Sequence, residues 1–162
     1  MIELRVLTPD DWPLWRQLRL AALADAPYAF GSRLADWQGD GDHEERWRGR
    51  LAVPGSYNLV ALLDGRPVGM ASGVPGERPG AAELISMCVG GQGRGRGVGD
   101  RLVGAVEAWA RRTGAGTLTL AVVPGNDRAF ALYRRNGLHD TGPCGGELAD
   151  GRREHVFVKY LS

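Results

Sequence analysis

Apolar and polar residues alternate from Ile2 to Leu7 and then give way to Thr8-Pro9-Asp10-Asp11, where a threonine can cap and a proline can open a helix. The pattern predicts a strand followed by a helix. In that helix Trp12, Trp15, Leu18, Ala22 and Leu23 recur at helical spacing, Arg16, Gln17 and Arg19 take the other face, and the end falls near Asp25-Ala26-Pro27. Residues 28 to 42 carry no regular period, and residues 43 to 51 read as a short helix stopped near Pro54-Gly55. Two apolar strands, 57–63 and 66–73, flank Asp64-Gly65, a tight-hairpin dipeptide. A Gly/Pro-rich connection follows. Residues 82–89 and 117–123 are then near-continuous apolar runs, broken only by Glu83, Ser86 and two threonines, as suits central strands covered on both faces.

Between those two strands the spacing predicts a helix over 98–112, with Val98, Leu102, Val106 and Trp109 on one stripe. Asp100 lies in its first turn and Arg111 and Arg112 in its last, as the helix dipole favours. Asn126 can cap a further helix carrying Phe130, Leu132 and Tyr133 and closed by Asn136-Gly137, and residues 153–161 alternate again as a last strand. There is no repeat, linker or low-complexity tract. The order implies a single α+β domain over residues 1–162, a mixed central sheet flanked by helices.

Composition narrows the partners. With 162 residues and 43% hydrophobic content the chain can bury a sizeable core. A net charge of +1 gives none of the sustained positive field of a nucleic-acid or membrane-surface binder. Two cysteines, Cys88 and Cys144, have no metal-ligand spacing and make no disulfide scaffold. The N-terminus lacks an apolar signal core, and no stretch approaches the ~18 apolar residues of a membrane span. A cytoplasmic protein that needs no nucleic acid, membrane or metal is the expectation; His43, His139 and His155 are scattered.

The most informative segment runs from Met87-Cys88-Val89 through a glycine-dense turn to Arg94-Gly95-Arg96-Gly97-Val98-Gly99-Asp100. A strand that feeds such a turn and opens a helix makes an anion site. Glycines let a ligand approach the backbone, and the first helical N–H groups have no internal partners. A P-loop needs a Gly-Lys pair, but the sole lysine is Lys159; the dinucleotide fingerprint G-x-G-x-x-G fails at every register.

The spacing that does fit is Q/R-x-x-G-x-G/A, met by Arg94, Gly97 and Gly99. It is followed by N-x-x-A-x-x-x-Y at Asn126, Ala129 and Tyr133, and then by Gly137-Leu138. In these motifs, their order and their context, the chain resembles the GNAT superfamily of acetyl-CoA-dependent N-acetyltransferases from Ile2 to Leu161. Gly90-Gly91 departs from the family, many of whose members have a proline soon after the strand. The resemblance implies a three-layer α/β/α fold, with a mostly antiparallel sheet of six to seven strands and about four helices. It also implies acetyl transfer from acetyl-CoA to a primary amine of a small molecule or peptide within a ternary complex, by a monomer or homodimer. Met87, Cys88, Val89, Arg94, Gly95, Arg96, Gly97, Val98, Gly99, Asn126, Ala129 and Tyr133 would then hold the cofactor.

An amine of pKa near 10.4 is neutral in only about one molecule in 2,500 at pH 7, so proton removal matters. The resemblance makes Tyr133 the general acid beside the CoA sulfur, although a core aromatic would occupy the same stripe. Glu83 interrupts an apolar strand and resembles the catalytic glutamate of the histone-acetylating branch; an outward-facing carboxylate, with water as the proton relay, is the alternative. The Val89 N–H would polarise the thioester carbonyl, and Asn126 would cap its helix and touch the cofactor. Pro27 to Ser32 resembles a P-x-A-F-G-S loop that walls the acceptor pocket in some members, which makes Phe30, Ser32 and Trp37 substrate-binding candidates. Two other readings stand beside transfer: a degenerate GNAT domain that binds acyl-CoA without turnover, and an Arg/Gly nucleic-acid module, which the near-zero charge opposes.

Overall fold

The computed structural model describes residues 1–25 and 34–161. Strand β1 (Ile2–Val6) passes through a 3-10 turn, Pro9–Asp11, into α1 (Trp12–Asp25). Thr8 and Asp11 set that entry, the Thr8 backbone N–H donating to Asp11 Oδ2 at 2.8 Å and its hydroxyl to the same oxygen at 3.2 Å. Two more 3-10 turns, Leu34–Trp37 and Gly39–Gly41, break the stretch read as irregular before α2 (Glu44–Leu51), capped by His43. Then come β2 (Tyr57–Leu63), β3 (Arg66–Pro75), β4 (Ala81–Val89), α3 (Val98–Arg112), β5 (Thr117–Val122), α4 (Asp127–Arg135), β6 (His139–Asp140) and β7 (His155–Tyr160). The two-residue β6 is too short to leave a period in the sequence. Asp64 and Gly65, both at positive φ, close the β2–β3 hairpin as its twist requires.

The seven strands form one sheet in the order β1-β2-β3-β4-β5-β7-β6, antiparallel everywhere except between β4 and β5. The expected mixed, mostly antiparallel α+β architecture is what the chain adopts.

One sheet face packs against α3 and α4 around Leu102, Val106, Tyr133 and Phe157; the other packs against α1 and α2 around Trp15, Trp47, Val60 and Met70. On the first face a Cβ at Gly73 would come within 2.4 Å of the Trp109 ring, so only glycine lets α3 lie this close to β3. On the second, Trp15 and Trp47 are 1% and 0% exposed, while Trp12, expected in the core, is half-buried at its edge.

The expectation that Arg19 lies on the polar face of α1 is wrong: it is 9% exposed. It sits one helical step after Trp15 and one before Leu23, on the buried stripe itself.

Candidate active site

Strands β4 and β5 are bonded only where Ala81–Glu83 meet Thr117–Thr119. Beyond that point β4 stays with β3 while β5 stays with β7, so the sheet splits. The cause is local to β4. Ser72 pairs with Ile85 and Met70 with Cys88, which leaves Ser86 and Met87 opposite Ala71 alone. This is a β-bulge, and Ser86 adopts φ +55° in it. A bulge bends its strand, and here it also turns the Ser86 hydroxyl toward α2, where Arg50 Nη2 donates to it at 3.0 Å.

Alternation along β4 decides which backbone groups face the split. Gly90 N–H donates to Val68 O on β3 at 2.8 Å, so Cys88 also faces β3 and Val89 faces away from it. The Val89 carbonyl accepts from Arg94 Nε at 3.2 Å on that open side. The Val89 N–H therefore points into the split.

Immediately after β4, residues 90–97 turn into α3. Gly97 is the N-cap with φ +79°, left-handed backbone that any other residue adopts at a cost. Gly97 O takes the first helical bond, from Arg101 N–H at 3.1 Å, so the N–H groups of residues 98–100 have no helical partner. A Cβ on Gly99 would lie 3.1 Å from Leu132 Cδ2, so α3 and α4 converge at this end. Asp100, the one acid in the first turn of α3, is held by Arg135 at 2.9 and 3.0 Å and by Asn136 at 3.0 Å. The Arg135 contact keeps its carboxyl below the usual range, and that positive partner offsets its charge at the start of α3.

The split opens into a cleft of about 880 Å³ that passes between the two faces of the sheet. Its α3/α4 side is lined by Met87, Val89, Arg94, Asn126, Ala129, Leu132 and Tyr133, and its α1/α2 side by Trp15, Arg19, Trp37, Trp47, Arg50, Glu83 and Cys88. Tyr133 is 5% exposed, its ring 5.8 Å from Phe157, and its hydroxyl makes no hydrogen bond with another described residue. Burial, with Cys88 beside it, pushes the phenol well above its ordinary pKa, so it stays protonated. Glu83 is half-buried between Ala82 and Leu84, which pack into the α3 face, so alternation turns Glu83 to the α1/α2 face. Burial, then the negative charges of Glu77 and Glu154, raise its pKa.

Glu83, Met87, Cys88, Val89, Arg94, Asn126, Ala129, Tyr133 and Trp37 thus come together in one cleft. Asn126 also caps α4 through Ala129 N–H at 3.3 Å. Gly95, Gly97 and Gly99 shape the turn and helix start, to which Val98, 1% exposed, adds only backbone. The exposed Arg96 does not line the cleft and instead acts electrostatically on Asp64. Phe30 and Ser32 lie outside the described residues.

Arg19, Trp47, Arg50 and Ser86 are cleft residues that the sequence did not single out as site candidates, and Trp15, on the apolar stripe of α1, reaches the cleft as well. The available signal was a cation at the Trp15 + 4 position. The indoles are held in place by polar contacts: Trp47 Nε1 donates to Asp42 at 2.8 Å, Trp37 lies 4.5 Å from Trp47, and the Arg46 guanidinium stacks 3.6 Å over Trp37. Arg16 and Trp47 together hold the Asp42 carboxyl at about 2.

A family model described as "Acetyltransferase (GNAT) family" matches residues 15–138. An IAA acetyltransferase of Azospirillum brasilense is 35% identical over 95 residues, 59% of this chain, and the match spans less than two thirds (62%) of that relative's length. An aminoglycoside N(6')-acetyltransferase type 1 of Stenotrophomonas maltophilia is 29% identical over 147 residues, 85% of this chain and 86% of that one. Among solved structures, the PaiA N-acetyltransferase of Thermoplasma acidophilum in complex with coenzyme A shares the fold at a TM-score of 0.78 and 17% identity, with 99% of each chain covered.

Proposed function

Because the chain belongs to the GNAT acetyltransferase family, we propose that it moves the acetyl group of acetyl-CoA to a primary amine of a small molecule or peptide, by direct attack in a ternary complex. The observation that carries this reading is the split between β4 and β5, which opens a cleft lined by Arg94, close before the start of α3, and by Glu83 and the tryptophans Trp15, Trp37 and Trp47.

The N–H groups of Val98 and Gly99, which the helix leaves unbonded, with Arg94 at the cleft wall, suit a pyrophosphate. The open edge of β4 suits an extended amide-bearing arm. The Val89 N–H, aimed into the split, would then meet the thioester carbonyl and stabilise the oxyanion that forms there, an effect typically of about 3 kcal/mol. Glu83 accepts a proton from the ammonium of the acceptor, and its raised pKa brings it nearer the task. The neutral amine attacks the carbonyl carbon, the C–S bond breaks as Tyr133 donates a hydrogen bond to the departing thiolate, and the proton lost by the new amide nitrogen passes through the Tyr133 hydroxyl to that sulfur, which leaves as the free thiol. A phenol that stays neutral to high pH is suited to donating that bond.

The reading takes residues 1–162 as one cytoplasmic domain, monomeric or dimeric, and uses no metal. Among the described residues no helix is long and apolar enough to cross a membrane. Calorimetric titration with acetyl-CoA, followed by thiol release across a panel of amines and peptides, tests it. Binding with release on an amine is the expected result. Binding without turnover on any amine would favour the acyl-CoA-sensing alternative, and no binding would end both readings.

A further inference from the structure

A carboxylate in the first turn of α3 suits the helix dipole, yet it opposes a phosphate at the helix start, where the transfer reading seats the pyrophosphate. The contacts of that carboxylate, Asp100, run to α4 instead. Arg135 Nε and Nη2 donate to its two oxygens at 2.9 and 3.0 Å as a bidentate pair, and Asn136 Nδ2 donates to Oδ1 at 3.0 Å.

Asn136, the C-cap of α4, carries the tie further. Its Nδ2 also donates to Leu132 O at 2.9 Å. Its own carbonyl accepts from Lys159 Nζ on β7 at 3.0 Å, and the same ammonium donates to Glu107 of α3 at 2.6 Å. The end of α4 is therefore joined to α3 both through Asp100 and through Lys159 and Glu107. Tyr133 lies inside this turn: its carbonyl accepts from Asn136 N–H at 3.2 Å and from Leu138 N–H at 3.0 Å.

Packing alone gives α4 little hold. Of its nine residues only Tyr133 is buried, with Ala129, Phe130 and Leu132 partly so. A short helix that buries one side chain can roll or slide with little loss of apolar contact, whereas hydrogen bonds are directional and resist both movements.

We propose that Asp100 is a positioning residue for the transfer: with Arg135 and Asn136 it clamps the last turn of α4 to the first turn of α3, and so holds the Tyr133 hydroxyl where the sulfur departs. This deepens the acetyltransferase reading and rests on it, and on Tyr133 as the hydrogen-bond donor. An exposed ion pair contributes little to stability, but its effect here is on geometry, and a displacement of about 1 Å at a reacting group can cost about 100-fold in rate.

The test is a double-mutant cycle of Asp100→Asn with Tyr133→Phe, read by kcat at saturating acetyl-CoA and amine. Asp100→Asn keeps the shape of the side chain and gives up its charge. Alone, it should lower kcat by at least about 3-fold and by no more than Tyr133→Phe does, because it acts through that hydroxyl. In the Tyr133→Phe background it should change kcat by less than about 2-fold. The Kd of acetyl-CoA, by calorimetry, should not rise, since a negative charge leaves the start of α3. Asn136→Ala breaks the bond to Asp100 and leaves the Arg135 pair; it should follow the same pattern with a smaller loss, and it takes the place of Asp100→Asn in the cycle if that variant does not fold. A full kcat in the single variant, an equal loss in both backgrounds, or a loss confined to a raised Kd would overturn the proposal. Full activity of Tyr133→Phe would do the same, because the clamp would then hold nothing that reacts.

If acetyl-CoA binds and no amine is acetylated, the transfer reading fails and the clamp is judged by hydrogen exchange. Faster exchange of the Asn136 and Leu138 amides in Asp100→Asn than in the unmodified protein supports it, and equal rates refute it.

Discussion

Replacing Tyr133 by Phe removes one hydroxyl from the proposed reaction centre and almost nothing from the fold. The ring stays packed against Phe157, and the hydroxyl has no hydrogen-bond partner among the described residues, so stability should change by less than about 1 kcal/mol. The loss falls on the transition state. A hydrogen bond to a charged group contributes about 1.5–3 kcal/mol, so kcat should drop between about 10- and 150-fold. Because the bond forms as the thiolate develops, the Kd of acetyl-CoA should be nearly unchanged. The assay is thiol release at saturating acceptor, with calorimetry for cofactor affinity and a thermal melt for folding. A kcat within twofold of the unmodified protein would remove Tyr133 from the mechanism. The raised pKa of the phenol adds a second check, since it stays protonated and contributes no falling limb to the rate profile below about pH 10.

Glu83→Gln should lower kcat/KM by about 100-fold or more and abolish an acid-side inflection that lies above the ordinary carboxylate value in the unmodified protein; a full rate in the variant would assign the proton relay to water. Gly97→Glu forces a side chain into left-handed backbone and puts negative charge at the helix start, so calorimetry should find acetyl-CoA binding lost while circular dichroism shows a folded protein; retained affinity would contradict the phosphate assignment. Asp42, held by Arg16 and Trp47 at a pKa of about 2, contributes stability that is present above its unfolded value near 4 and lost as pH falls toward 2. Asp42→Asn should therefore flatten the decline of Tm between those pH values, and an unchanged decline would place the acid sensitivity elsewhere.

What the sequence by itself determined about this protein is what short-range physics writes into a chain. The stripe of Val98, Leu102, Val106 and Trp109 specified α3 to the residue, Asp64-Gly65 specified the hairpin, and Asn126 specified the start of α4, because caps and turns act over a few positions. The glycines from Gly93 to Gly99 marked the turn that opens α3 for the same reason.

Tertiary structure alone decided how β4 is paired. Whether Ser86 and Met87 share one partner depends on the register of β3, more than ten residues away, and the bulge that results opens the split and turns Ser86 toward Arg50. It also decided which cations are buried. Arg16 and Arg19 look alike on a helical wheel read with the rule that arginine faces water, but Arg16 meets Asp42 near the surface while Arg19 is buried at the cleft. That difference comes from how α1 and α2 close over the split sheet, an arrangement that no window of local sequence contains.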